Sequence, residues 1–201
     1  MAVIKSGASS DTLTIDATSK AARITPYDAR GNNRGVKATY RASTGATFTA
    51  ANGTAPFFAI GGSATKTIIV QRIFYTATKA TAAANVVLNL TKNSVAISGG
   101  TAAALTQIPI DSTDAAGTAT TLNTYTVAPT PGTNLGTIEA RRCLTNITGA
   151  VATQDIFFDF RNVGESQGVV LRGTAENLNL LYQSAPGHAT EVSVWVEWTE
   201  E

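Results

Sequence analysis

The sequence predicts an all-β protein, an antiparallel β-sandwich or jelly roll with an extended N-terminal arm. Three observations carry this. Short alternating or β-branched apolar runs recur from Leu13-Thr14-Ile15 to Val192-Ser193-Val194-Trp195-Val196, each bounded by Gly, Thr, Ser, Asn or Pro. The bounding turns recur at roughly 8–20 residue spacing, as in sandwiches and jelly rolls. No segment of helical length carries an apolar stripe at the helical period.

Residues 1–41 read as the arm and 42–201 as the body. In the arm, Thr12-Leu13-Thr14-Ile15-Asp16 and Ala21-Ala22-Arg23-Ile24-Thr25 are short strands, and Pro26 marks an edge or an extended segment. Two such strands cannot bury a core alone. They must lie on the main domain or on another chain; a neighbouring chain is the favoured expectation, with Leu13, Ile15, Arg23, Ile24 and Tyr27 as the partner-binding residues. Ala29 to Gly35 is a loop.

From Val36 the β pattern becomes regular. Val36 to Tyr40 alternates, and Pro56-Phe57-Phe58-Ala59-Ile60 is a short apolar run closed by Gly61-Gly62-Ser63. Thr67 to Tyr75 is apolar on both faces, which predicts a central strand buried on two sides. Asn85 to Leu90 places Val86, Leu88 and Leu90 inward. Leu105, Ile108 and Ile110 suggest one strand, and Leu122, Tyr125 and Val127 another. Strands are further predicted over 137–144, 155–160, 169–172, 177–182 and 192–198. Trp195 and Trp198 stand three apart, so they face opposite sides of the last strand. One belongs to the core, and the other is available to stack on a partner or a sugar.

Composition points to assembly. Hydrophobic residues make up 43% of the 201, enough for a core, yet charged residues reach only 14%. Soluble domains carry about 25%. Thr, Ser and Asn must supply the polar surface, or neighbouring subunits cover it. The net charge of +1 gives no reason to expect a nucleic-acid or membrane partner. Its distribution is uneven. Residues 1–41 hold seven basic and three acidic residues, and residues 164–201 hold one basic and six acidic. These ends are complementary, within one subunit or between neighbours.

Little here is equipped for catalysis. Cys143 is the sole cysteine and reads as a small buried hydrophobe. The sole histidine, His188, lies in a turn. Asp155 and Asp159 share a strand face but stand roughly 13 Å apart at β spacing, beyond the ~5–9.5 Å of paired catalytic carboxylates. The Gly-Gly-Ser and Ser-Gly-Gly turns lack a following Lys-Ser/Thr, and no zinc or calcium pattern is present. The expectation is a protein that is not an enzyme and needs no cofactor. No apolar run reads as a signal peptide or a spanning helix, so synthesis in a cytoplasm without export by a cleaved signal is expected.

Two stretches carry a resemblance. The opening, Ala2-Val3-Ile4-Lys5-Ser6-Gly7 through Lys20-Ala21-Ala22-Arg23, resembles the start of small structural proteins of tailed bacteriophages. Gly62-Ser63-Ala64-Thr65-Lys66-Thr67, Val170-Leu171-Arg172-Gly173-Thr174-Ala175-Glu176 and the close Val194-Trp195-Val196-Glu197-Trp198-Thr199-Glu200-Glu201 resemble the same group. The resemblance implies a virion component: a capsid decoration protein, a head or tail fibre, or a related accessory. It brings no functional residues. The expected partners are other virion proteins and further copies of this chain, with a trimer favoured. The alternative is a host-surface glycan module acting through loops such as 111–118 or 183–190.

Overall fold

The computed structural model describes residues 14–15, 22–23, 37–51, 53–80, 84–145, 154–161 and 168–201. Among them the strands run in chain order: β1 (Thr14–Ile15), β2 (Ala22–Arg23), β3 (Ala38–Ser43), β4 (Phe48–Thr49), β5 (Pro56–Gly61), β6 (Ile68–Ala80), β7 (Ala84–Asn93), β8 (Thr101–Ala104), β9 (Ile108–Pro109), β10 (Asn123–Val127), β11 (Asn134–Thr145), β12 (Gln154–Asp159), β13 (Val169–Leu171), β14 (Asn177–Tyr182) and β15 (Thr190–Glu200).

The chain divides into two units, Met1–Lys37 and Ala38–Glu201. In the first, β1 and β2 pair with each other in antiparallel register, Thr14 opposite Arg23 and Ile15 opposite Ala22. Leu13, Ile24 and Tyr27 lie outside the described residues. The second unit starts four residues before the boundary read from sequence. The reason is β3, whose Tyr40 is wholly buried and whose Arg41 pairs across the sheet with Glu197.

The second unit is an antiparallel β-sandwich. One sheet runs β11-β7-β14-β5-β10-β8, and the other runs β12-β6-β15-β3-β9, with β13 also on β6 and β4 on β15. Alternating apolar residues of both sheets meet in one core: Val86, Leu88, Leu90, Leu178 and Leu180 from the first, Val192, Val194, Val196 and Trp198 from the second. The phenols of Tyr75 and Tyr182 join the layers at 3.2 Å, and Phe57 packs on both rings at 5.9 and 4.8 Å. Burial pushes Tyr75 well up and Tyr182 up to about 12, so both stay neutral and one hydroxyl donates to the other in this bond. Cys143 is buried beside them, and burial pushes its thiol up to about 11.

Two sequence expectations change. β6 is the longest strand and has neighbours on both sides, but β15 holds the centre of the sheet, and β6 is not covered alike on both faces. Its register against β15 slips between Val70 and Arg72. The extra residue reverses the alternation, so Ile68 and Val70 face the core along with Ile73 and Tyr75. Arg72 and Phe74 are left on the outward face. The single strand expected over 105–110 is also replaced. β8 ends at Ala104 in one sheet and β9 starts at Ile108 in the other, so this segment crosses between the sheets. Ile108 and Ile110 are exposed there, at 57% and 55%.

The outward faces of the two sheets differ. That of the six-stranded sheet is roofed. Ser94 and Ser98 hydrogen-bond to Thr133 and Thr130, and Ile97 in this paired segment packs with Ala59 of β5 and Tyr125 of β10. Asn93 and Asn177 donate their amides to the carbonyls of Gly132 and Val95 at 2.6 Å each. A side chain at Gly132 would meet the Val95 carbonyl oxygen at 1.7 Å, so only glycine allows this approach. The seven-stranded sheet leaves Phe157 open on its outward face, and strands of the six-stranded sheet also carry exposed apolar side chains, at Val127, Leu135 and Ile138.

Candidate functional site

The outward face of the seven-stranded sheet is built by register. Residues directly opposite in an antiparallel ladder point to the same side. One row across the face therefore runs Asp159 on β12, Arg72 on β6, Glu197 on β15, Arg41 on β3 and Ile108 on β9. Acid and base alternate along it. The adjacent row runs Phe157, Phe74, Trp195 and Ser43. Ile110 continues the register of β9, where its N–H donates to the Thr39 carbonyl at 2.8 Å.

In the first row, Glu197 is the hub. Arg41 Nε donates to its Oε2 at 2.7 Å, and Arg72 Nη2 donates to both oxygens at 3.1 and 3.0 Å. Arg161 grips Asp159 with two guanidinium bonds of 3.1 and 2.8 Å, and its Nη1 lies 4.0 Å from Glu197 Oε1. Burial pushes the Glu197 carboxyl up, but the hydrogen bonds and charges of Arg41 and Arg72 outweigh it and hold the group below its ordinary 4.5. The Arg161 hydrogen bond likewise holds Asp159 below its ordinary 3.8.

A group whose folded pKa is depressed stabilises the fold above its ordinary pKa, and that contribution is lost as pH falls through the folded value. The thermal midpoint should therefore hold above about pH 5 and drop as Glu197 and Asp159 take up protons. In Glu197→Gln the acid-side slope should be shallower, as a pH series of melting curves would show.

In the second row the rings form one continuous platform. Phe157 and Phe74 lie 4.8 Å apart, Phe74 stacks on Trp195 at 5.7 Å and 20°, and Phe157 meets Trp195 edge-on at 6.1 Å. Arg41 and Arg72 place their guanidinium carbons 5.6 and 5.5 Å from the Trp195 ring centre. At the end of the row is a cavity of about 260 Å³ lined by Arg41, Ala42, Ser43, Ile108 and Trp195. Phe157 stands 49% exposed at the opposite end.

This face sets aromatic rings beside arginines, with Phe157, Ile108 and Ile110 exposed. Aromatic rings and arginines are the side chains enriched at the centres of protein interfaces. Trp198 lies wholly in the core and Trp195 lies on this face, as their spacing implies. Of the basic residues in 1–41 and the acidic ones in 164–201, Arg41 and Glu197 pair within one subunit. Asp155 and Asp159 lie on this same outward face, on either side of Phe157.

Of the partner-binding residues expected from sequence, Ile15 and Arg23 fall on the paired strands β1 and β2, and Leu13, Ile24 and Tyr27 fall outside the described residues. Phe157, Ile108 and the charged row escape sequence reading, except that Phe157 shares the parity of Asp155 and Asp159. The loop 111–118 is tied down by Thr118, which donates its N–H and hydroxyl to Glu200 at 2.8 Å each. Neither this loop nor 183–190 contains an aromatic residue. No family model, curated protein or solved structure matches the chain.

Proposed function

We propose that this chain is a bacteriophage virion structural protein, a capsid decoration or head or tail accessory protein that docks on neighbouring subunits. The single observation that supports this most is the outward sheet face, where Phe157, Ile108 and Ile110 stand exposed around Trp195 and a ladder of paired arginines and acids. Its chemistry is that of a protein contact. The likeness of the opening and closing segments to phage structural proteins supplies the biological setting. The N-terminal arm adds a second contact by strand addition, in which main-chain hydrogen bonds supply affinity and side chains such as Ile15 supply register. The protein is made in the host cytoplasm and resides in the virion.

Removing residues 2–28 should abolish co-sedimentation with virions and leave the sandwich cooperatively folded. Undiminished co-sedimentation, or collapse of the fold, would refute the arm as a separable anchor. A host-surface glycan module is the second reading, favoured by the Phe157 ring standing open on the sheet face. It requires hits on a glycan array that disappear in Phe157→Ala.

A further inference from the structure

We infer that the outward face of the seven-stranded sheet packs against the same face of a second copy of this chain, about a two-fold axis parallel to the strands. This rests on the reading of the face as a protein contact and names its occupant. A two-fold contact must be self-complementary, because one patch meets itself. Two independent features of this face satisfy that condition under one and the same axis.

The first is charge. From β12 to β3 the row reads acid, base, acid, base: Asp159, Arg72, Glu197, Arg41. An axis in the contact plane, running along the strands between β6 and β15, reverses this order in the facing copy. Asp159 then meets Arg41 of the second copy, and Arg72 meets its Glu197. Every position sets opposite charges against each other, where an acid, base, base, acid order would set like against like. The outer two are the accessible ones, with side chains 42% and 51% exposed. Arg161 stands beside Asp159, so that carboxylate would lie between two guanidinium groups, as Glu197 already does.

The second is shape. Phe157 and Ser43 occupy the two ends of the aromatic row. The axis that reverses the charges lays Phe157 of one copy over Ser43 of the other. There the cavity of about 260 Å³ lies between Trp195 and Ile108, with room for a phenyl ring. Knob and socket thus occur twice, once in each direction, and both bury an exposed apolar side chain against an aromatic wall. Phe74 faces Trp195 of the second copy between them. Sheets packing face to face in this sense keep their strands aligned to within about 30°. The geometry points to a two-fold, where a trimer was the expectation from sequence.

Ser43 and Phe157 are both exposed, so changes there leave the fold intact. Light scattering on the full chain should give twice the chain mass. Phe157→Ala removes the knob and Ser43→Trp fills the socket. Each alone should weaken self-association by about 30-fold or more, the scale of a central contact residue. An equimolar mixture of the two variants should regain dimers, because the mixed pair retains one native contact and sets the new Trp against the missing Phe. A wild-type monomer or trimer at tens of micromolar, or a dimer indifferent to both substitutions, overturns the two-fold. If wild type is monomeric and Phe157→Ala still loses virion co-sedimentation, the two-fold falls and the docking reading stands. A dimer that behaves as described but never co-sediments with virions overturns the docking reading alone.

Discussion

Trp198→Ala should lower the unfolding free energy by about 3–5 kcal/mol, the range for truncating a large buried aromatic. Trp198 is wholly buried and stacks on Tyr40 at 5.7 Å and 20°. Truncation leaves a cavity that the surrounding strands can only partly close, because Tyr40 is held by its own hydroxyl, which donates to the Ala115 carbonyl at 3.0 Å. A second loss adds to the first. Trp198 Nε1 donates to Glu200 Oε1 at 3.0 Å, and Glu200 holds the 111–118 loop through Thr118. Without the indole a buried carboxylate loses one of its donors. Trp198→Phe separates the two effects. It keeps most of the ring packing and loses the N–H, so it should cost about 1–3 kcal/mol. Urea unfolding of the three proteins measures both. A loss under about 1 kcal/mol for Trp198→Ala would contradict its placement in the core.

Glu197→Ala should cost about 2–3 kcal/mol. Breaking a fully buried ion pair costs about 3–5 kcal/mol, because the remaining charge stays desolvated. Here the cost is smaller, since the Arg41 side chain is 51% exposed and can turn to water. Arg72 is 19% exposed and cannot do so as freely. The two guanidinium groups would also lose the anion between them. A double-mutant cycle with Arg72→Ala isolates the pair, and Arg41→Ala should couple more weakly than Arg72→Ala. If Glu197→Ala costs less than about 0.5 kcal/mol, the ladder is an ordinary surface ion pair.

The strands with clean alternation were the legible ones. β7 and β14 follow from Val86-x-Leu88-x-Leu90 and Leu178-x-Leu180, because a half-buried strand writes its facing into its own residues. β6 was legible as a strand but not in its facing. The slip between Val70 and Arg72 swaps parity midway, and the apolar runs on either side of Gln71-Arg72 do not show which residue is the extra one. β8 and β9 were illegible as separate strands, since Leu105, Ile108 and Ile110 read as one apolar stretch across a point where the chain changes sheets. Of the candidate site, only Trp195 could be read from sequence, through its odd spacing from Trp198.

Local pattern by itself determined the all-β class, the position of most strands and the two-sided use of β15. Alternation and turn chemistry are properties of neighbouring residues, so they survive without knowledge of the fold. The tertiary structure alone decided which face stays open and what it displays. Arg41 and Glu197, 156 residues apart, become neighbours only through pairing register. Register is selected by the burial of the opposite face of each strand, so the outward row of Asp159, Arg72, Glu197 and Arg41 is set by the core beneath it.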